Sequence, residues 1–454
     1  MKRRIFFIFL IAILIGGVIY LNQLMIVITG YAAKNLASGI FVSGRSQKEM
    51  EKNDLNFSFI KYAKNIVDYN KKEVVSRFLW NKSKAIYIKG FGCVLIRDYS
   101  EEEIRNRSYK IVPSLPEEPD TISWPMGDKI VDTIPKGIDT IKLRHVMNKI
   151  MSDTIPFKGT YGCIVVYKSQ IISEKYKKGF NLKTKFLGWS IGKSFVNSLI
   201  GLRSEKGKIN INSPLNLKEW VNDDRKNITI NNLMHMNSGL KWNENYGALS
   251  DVTIMLYKKG NMGLYTAQKA LKNKPDSIWN YSSGSTNLVC KILRSSFDND
   301  SLYYSYPRKE FFNKIGMKSA VIEVDASGTF VGSSYVYASL RDYARYGLLY
   351  LNRGMFMGRK ILSSSWIDYT LLPANGSEGK YGAYFWLNLS GYKPDIPHDS
   401  YRCDGHDGQY IFIVPSYNLI VVRTGFSKPG EFDNNLMMKE ILECLKTKKY
   451  CETL

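Results

Sequence analysis

Gly188-Trp189-Ser190-Ile191-Gly192-Lys193-Ser194-Phe195 stands where one hydrophobic pattern gives way to another. Upstream, Cys163-Ile164-Val165-Val166-Tyr167 and Ile171–Tyr176 are β-rich runs joined by Lys168-Ser169-Gln170, which reads as a strand hairpin. Downstream, Ile191, Phe195, Leu199 and Leu202 recur at the spacing of one helical face, with Gly207 as the stop. Ser190 therefore opens an amphipathic helix behind a hairpin. Lys193, three residues on, shares its face, so hydroxyl and amine can meet. The helix start adds free N–H groups and a positive field suited to a developing oxyanion. A serine hydroxyl is a weak nucleophile until a base takes its proton. Lysine is that base only when neutral, and at its reference pKa a few parts in roughly ten thousand are neutral near pH 7. Burial and nearby cations must therefore lower it. The plain alternative is a helix-capping serine with a solvated lysine.

The same spacing recurs at Ser58–Lys61, Ser238–Lys241, Ser377–Lys380 and Ser390–Lys393. The first precedes the folded domain, the second contains Gly239 at an apparent helix exit, and the last two carry Gly379 and Gly391 and read as loops. Two further motifs lie downstream. Tyr281-Ser282-Ser283-Gly284 precedes a helix-like run from Thr286 to Leu293, and a tyrosine hydroxyl can relay a proton if neighbouring cations lower its pKa. Among 30 tyrosines, packing alone also accounts for it. Gly405-His406-Asp407-Gly408-Gln409 runs into the strand Tyr410–Val414, and its glycines let a strand edge approach a ligand. The Gln409 N–H is then a second oxyanion donor, and His406 a group that binds a carboxylate or polarises the tyrosine. Gly188–Gly192 also matches the G-x-S-x-G pattern, which would make His406 the base. That pattern belongs to a parallel α/β sheet, and no alternating strand–helix series accompanies it here.

Working outward, Leu419–Thr424 is a second C-terminal strand behind the turn Pro415–Asn418, and Asn434–Leu445 a final amphipathic helix. Ile230–Met236 follows a Thr229 cap, and Arg341–Arg353 is another helix. Strands at both ends and helices between predict an α+β fold. Its antiparallel sheet is built from both ends of a domain over 139–450 and flanked by helices, with a mainly helical middle subdomain at about 210–335 and a cleft between. Residues 30–138 read as a juxtamembrane and wrapping segment with short helices, a strand pattern around Ala85–Arg97 and a Pro-containing arm from Pro113 to Pro125.

Lys2, Arg3 and Arg4 precede an apolar run from Ile5 to Leu21 that resumes after Asn22-Gln23, so residues 1–29 are long enough to span a bilayer. The cations should stay cytoplasmic, leaving the remaining chain outside, or secreted if cleavage follows Ala33 or Ala37. The chain of 454 residues is 44% hydrophobic, ample for a large core. Its net charge of +23 comes from scattered lysines rather than a stripe, and no nucleic-acid-binding motif accompanies it. Six cysteines without CxxC and four histidines without HExxH give no metal site, and no cofactor is implied. Disulfides and buried free thiols both fit.

The three motifs, in this order, resemble the serine β-lactamase and penicillin-binding-protein superfamily in its class C-like branch. That branch includes carboxylesterases, D-aminopeptidases and 6-aminohexanoate-dimer hydrolases. The resemblance covers about residues 139–447 and extends to Leu233–Leu240 with Trp242, Asn287-Leu288, Gly328–Ser333 and Pro415. Gly44-Arg45 and Gly92-Cys93 are similar to N-terminal parts of the 6-aminohexanoate-dimer-hydrolase-like members. It implies a β-lactamase/transpeptidase-like fold and an acyl-enzyme on Ser190 with Lys193 as base. Tyr281 would be the second proton carrier, and the N–H groups of Ser190 and Gln409 the oxyanion hole. Two departures stand out. The Tyr-x-Asn element ends in Ser283, and the Lys-Thr-Gly element is His406-Asp407-Gly408. Both are shared with esterase-like members and both argue against efficient β-lactam hydrolysis. The expectation is an extracytoplasmic serine hydrolase acting on a small ester or amide. The alternatives are a penicillin-interacting D,D-peptidase-like or peptidoglycan-directed protein, and a non-catalytic binding module.

Overall fold

The computed structural model describes residues 2–110, 121–130 and 133–445. Most of the expected Pro-containing arm, Cys451 and the domain end at 450 lie outside them.

The N-terminal apolar run forms one helix, α1 (Lys2–Phe41), which continues well past residue 29. It has two halves. From Arg4 to Leu21 its side chains are exposed, a stretch of about 27 Å at the α-helical rise. From Met25 onward one face is buried, and Ala32, Ala33, Leu36 and Ala37 are fully enclosed. The small residues allow this close approach. A side chain at Gly30 would meet the Tyr257 carbonyl at 2.9 Å, and one at Gly39 would overlap Met50. Asn22 and Gln23, which interrupt the apolar run, mark the join. Asn22 accepts from Trp80 Nε1 at 3.2 Å and Asn81 Nδ2 at 2.8 Å, and Gln23 accepts from Lys258. The possible cleavage points, Ala33 and Ala37, sit in the middle of this core helix.

Around the inner half wraps an antiparallel meander of β1 (Lys64–Asp68), β2 (Glu73–Phe78), β3 (Asn81–Ile88) and β4 (Gly92–Leu95). Val74, Ala85, Cys93 and Leu95 pack on α1, together with Met255 and Leu256 of the helix Asp251–Lys258. Residues 30–138 thus hold a whole sheet where the sequence suggested one strand pattern. Its first two strands mix polar Lys64, Asn65, Asp68, Glu73 and Arg77 with apolar residues, as strands with one wet face do. At the centre of this interface Lys34 pairs with Glu323, both almost fully buried. Ser38 Oγ and Cys93 N–H also donate to Glu323, at 2.8 and 2.6 Å, and Lys34 lies 3.9 Å over the Tyr335 ring. Gly92 (φ +70°) is required there, because a Cβ would fall 2.3 Å from the Glu323 carboxylate.

The main sheet contains β5 (Thr160–Tyr167), β6 (Gln170–Tyr176), β7 (Trp386–Leu387), β8 (Tyr401–Gly405), β9 (Gln409–Val414) and β10 (Leu419–Gly425). Its order is β7-β8-β9-β10-β5-β6, with antiparallel neighbours throughout. The pairing of Leu419 with Tyr167 joins the two ends of the domain, as expected. The helices that position the site and cover the sheet are α2 (Thr140–Ile150), α3 (Ile191–Glu205), α4 (Ser283–Ser295), α5 (Leu340–Leu351) and α6 (Asn434–Leu442). Met147 and Ile150 of α2 and Met437 and Ile441 of α6 pack on Val165, Phe412 and Val421 on one face. Phe195 and Leu199 of α3 and Tyr346 of α5 pack with Ile411 and Ile420 on the other. Residues 210–335 contain mostly short helices, besides the strand Val321–Ile322. The antiparallel sheet removes the context that G-x-S-x-G needs. The five described cysteines are buried free thiols.

Candidate active site

Ser190 sits at a tight turn between the short strand Phe186–Leu187 and α3. The Gly188 N–H donates to the Val336 carbonyl at 2.8 Å, and a Cβ there would strike the Tyr343 hydroxyl. Trp189 takes φ +48°, a conformation that costs free energy in a non-glycine residue. Its indole is held against Tyr335 and Tyr246, so packing enforces the turn. Ser190 occupies the cap position, yet its hydroxyl caps nothing. It meets Lys193 Nζ at 2.8 Å. Lys193 is 1% exposed. The capping-serine, solvated-lysine alternative is thus excluded by both side chains.

Lys193 Nζ has two further partners, Ser283 Oγ at 3.0 Å and the Ser333 carbonyl at 3.0 Å. Burial brings its pKa down to about 8, with Glu244 pulling the other way. This is the depression the chemistry requires, and desolvation causes it rather than neighbouring cations. The ammonium donates to all three partners, and a neutral Lys193 keeps its two N–H groups for Ser283 and Ser333 while its lone pair faces the Ser190 proton, so the contacts suit both forms of the base.

Tyr281 faces the same pair. Its hydroxyl interacts with Ser190, and its ring lies 4.8 Å from Lys193 Nζ. Burial, reinforced by Glu244 and Asp404, holds the phenol well above its ordinary value, against the contribution of Ser190. The sequence-based expectation of cations lowering it is therefore reversed. Tyr281 is a neutral donor, stacked on Trp386 at 5.5 Å. Ser283 is fully buried, and both its N–H and its hydroxyl donate to Glu244. It therefore braces Lys193 instead of presenting a free side chain to the cleft.

The Gly405–Gln409 turn approaches the Ser190 turn edge-on, since a Cβ on Gly405 would lie 2.2 Å from the Gly188 carbonyl. Gln409 is locked by its side chain, which donates to the Gly425 carbonyl at 2.6 Å and accepts from the Gly425 N–H at 3.0 Å. Gly408 (φ +88°) gives its carbonyl to Arg423 Nη1 at 2.6 Å. His406 is partly exposed. Its Nε2 lies 3.3 Å from Asp407, whose carboxyl burial lifts to about 6 against the pull of His406. The His406 ring stacks on Tyr246 and meets Trp189, the residue before Ser190, edge-on.

Glu244 and Tyr246 escaped the sequence reading, and Ser333 entered it only as the end of Gly328–Ser333, with no role. Glu244 also accepts from Trp242 Nε1, so it ties the Trp242 loop to the start of α4. Its one signal was a carboxylate two residues past Trp242. Ser333 contributes only a carbonyl, which leaves no side-chain signature.

The curated 6-aminohexanoate-dimer hydrolase of Paenarthrobacter ureafaciens is 21% identical over 287 residues, covering 57% of this chain and 71% of that protein. A candidate 6-aminohexanoate-dimer hydrolase from Bacillus anthracis superposes with a TM-score of 0.55 at 21% identity, over 66% of this chain and 83% of the other. A family VIII carboxylesterase gives 0.53 at 14% identity, over 67% and 97%. These likenesses establish the β-lactamase/transpeptidase-like fold. The family model named Beta-lactamase matches residues 161–437, more than half of the sequence, from the second residue of β5 into α6. With Ser190, Tyr281 and Gln409 all inside that span, the chain belongs to the Beta-lactamase family.

Proposed function

We propose that the protein is a serine hydrolase that cleaves an ester or amide through an acyl-enzyme on Ser190, anchored in a membrane by the outer half of α1 with its domain outside the cytoplasm. The observation that carries the reading is the buried Lys193 amine, 2.8 Å from the Ser190 hydroxyl and depressed to about 8. Neutral Lys193 takes the Ser190 proton as Oγ bonds to the substrate carbonyl carbon. The carbonyl oxygen becomes an oxyanion received by the Ser190 and Gln409 N–H groups. Collapse breaks the bond to the leaving oxygen or nitrogen, which takes the Tyr281 proton, and the Lys193 ammonium restores that proton. Water then attacks the acyl carbon as Lys193 accepts its proton; collapse breaks the bond to Ser190 Oγ, which takes that proton back from the Lys193 ammonium as the acid departs.

Ser283 supports an ester or amide over a β-lactam, since its hydroxyl is committed to Glu244 and Lys193. The membrane reading is supported by α1, the described helix long and apolar enough to cross a bilayer.

The test is intact mass after treatment with a serine-reactive fluorophosphonate, for the full-length protein and Ser190→Ala. One adduct on the parent, lost in the variant, is expected. Equal labelling of both places the nucleophile elsewhere, and a folded parent that takes no label favours a binding module.

A further inference from the structure

Next to Ser190, the rings of Trp189, Tyr246 and His406 form a cluster. Tyr246 and His406 stack at 4.5 Å, and Trp189 meets them edge-on at 6.1 and 5.5 Å. On the far side of Tyr246 and His406 opens a groove of about 510 Å³. It runs along α1, lined by Tyr20, Leu24, Val27, Phe57, Ala248 and Leu249. Its lining is mostly apolar, and its two ends differ. One is His406 and Asp407, part of the loop that ends in Gln409. The other is Tyr20 and Leu24, at the edge of the exposed apolar half of α1. Tyr20 and Tyr31 both line it, so it extends about 16 Å along the helix axis.

The surroundings of the outer end fit a lipid surface. Phe59, Tyr62, Leu79 and Trp80 are all more than half exposed, and Trp80 is hydrogen-bonded to Asn22 where α1 enters the domain. Exposed aromatics beside the end of a membrane-length helix are the pattern of an interfacial belt. A groove of this volume, lined mostly by apolar side chains with a few polar groups at one end, has the form of a ligand site. The helix that lines it is the one proposed to enter the bilayer, so the groove leads from the exposed apolar half of that helix to the loop of His406 and Asp407.

We propose that this groove holds the acyl chain of an amphiphilic ester or amide resident in the bilayer, which reaches Ser190 from the membrane past Tyr246 and His406. The proposal rests on the acyl-transfer reading above and adds the substrate class. The acid side of the scissile bond carries the chain, so the chain stays on Ser190 in the acyl-enzyme while the polar alcohol or amine leaves towards water.

The test uses full-length protein in phosphatidylcholine vesicles with umbelliferyl esters from acetate to dodecanoate, comparing the parent with Ala248→Trp and Ala248→Ser. Ala248 is exposed and lies in a turn, so tryptophan there fills the groove without entering the core. In the parent, kcat/KM should rise by up to about fourfold per methylene, the most a fully buried CH2 contributes. Ala248→Trp should reduce the dodecanoate-to-acetate ratio at least tenfold, while Ala248→Ser keeps the parent ratio. A ratio taken within one preparation cancels the folded fraction, and comparison at equal chain length cancels partitioning. Dodecanoate in the protein's own vesicles should turn over faster than the same ester in separate vesicles. A flat chain-length profile, an Ala248→Trp ratio equal to the parent's, or equal rates from both vesicle pools would overturn the proposal and leave acyl transfer standing. No turnover of any ester, with no fluorophosphonate adduct, would instead remove the acyl-transfer reading on which it rests.

Discussion

The depressed Lys193 amine makes a quantitative prediction. With its pKa at about 8, roughly one lysine in ten is neutral at pH 7, against a few in ten thousand at the reference value. The base form is lost on protonation, so the rate must fall as pH drops below 8. Half of the amine is neutral at pH 8 and about one part in a hundred at pH 6, a loss of about 50-fold across that window. Fluorophosphonate inactivation reads this step without knowledge of the substrate, because it needs only the Ser190 proton removed. Its second-order rate constant, measured from pH 5.5 to 10, should show unit slope below a single break near 8. Lys193→Met should lower the plateau by about 100-fold or more and abolish the break. A break that survives Lys193→Met and disappears in His406→Gln would refute the reasoning and make the His406–Asp407 pair the base. A rate constant flat from pH 6 to 8 would show that Lys193 acts only as a hydrogen-bond donor.

Two substitutions test what surrounds this pair. Glu244 stabilises the Lys193 ammonium, so Glu244→Gln should move the break to lower pH, by about one unit for a neighbouring opposite charge removed. An unmoved break would reduce Glu244 to a brace for Ser283. Lys34→Ala should destabilise the protein by about 3–5 kcal/mol, because it strands the Glu323 carboxylate in the core. Denaturant unfolding in detergent measures this. The double variant Lys34→Met, Glu323→Leu should recover most of the loss, and a single-variant cost below about 1 kcal/mol would mean that Glu323 is neutral or hydrated when folded.

What the sequence discloses here is what short-range periodicity encodes. The Ser190 helix face, the hairpins at both ends of the domain and the Thr229 cap all came from spacings within a dozen residues, and the structure places them accordingly. Glu244 had no such signal. Its role depends on Ser283, distant in sequence, and on the start of α4, where a carboxylate meets free N–H groups. The direction of the Tyr281 shift failed for the same reason: the burial that raises it, and the Glu244 and Asp404 charges that reinforce it, come from other segments. Helix α1 shows a different limit. Hydropathy scores a membrane segment and a core helix alike, so one apolar run concealed two environments. The discriminating residues were present but unread. Gly30, Ala33 and Ala37 form a stripe of small side chains suited to close packing and Gly39 gives a second close approach on the opposite face, whereas Ile5–Leu21 holds mostly large ones. Asn22-Gln23 marks the boundary. Because a single helix crosses it, no flexible linker separates the exposed apolar half of α1 from the folded domain. On the membrane anchoring proposed above, the height of Ser190 over the bilayer is set by helical rise and by the packing around Lys34 and Glu323. That rigidity makes a substrate path along α1 physically coherent, since a groove shared by lipid and active site persists only if the two cannot swing apart.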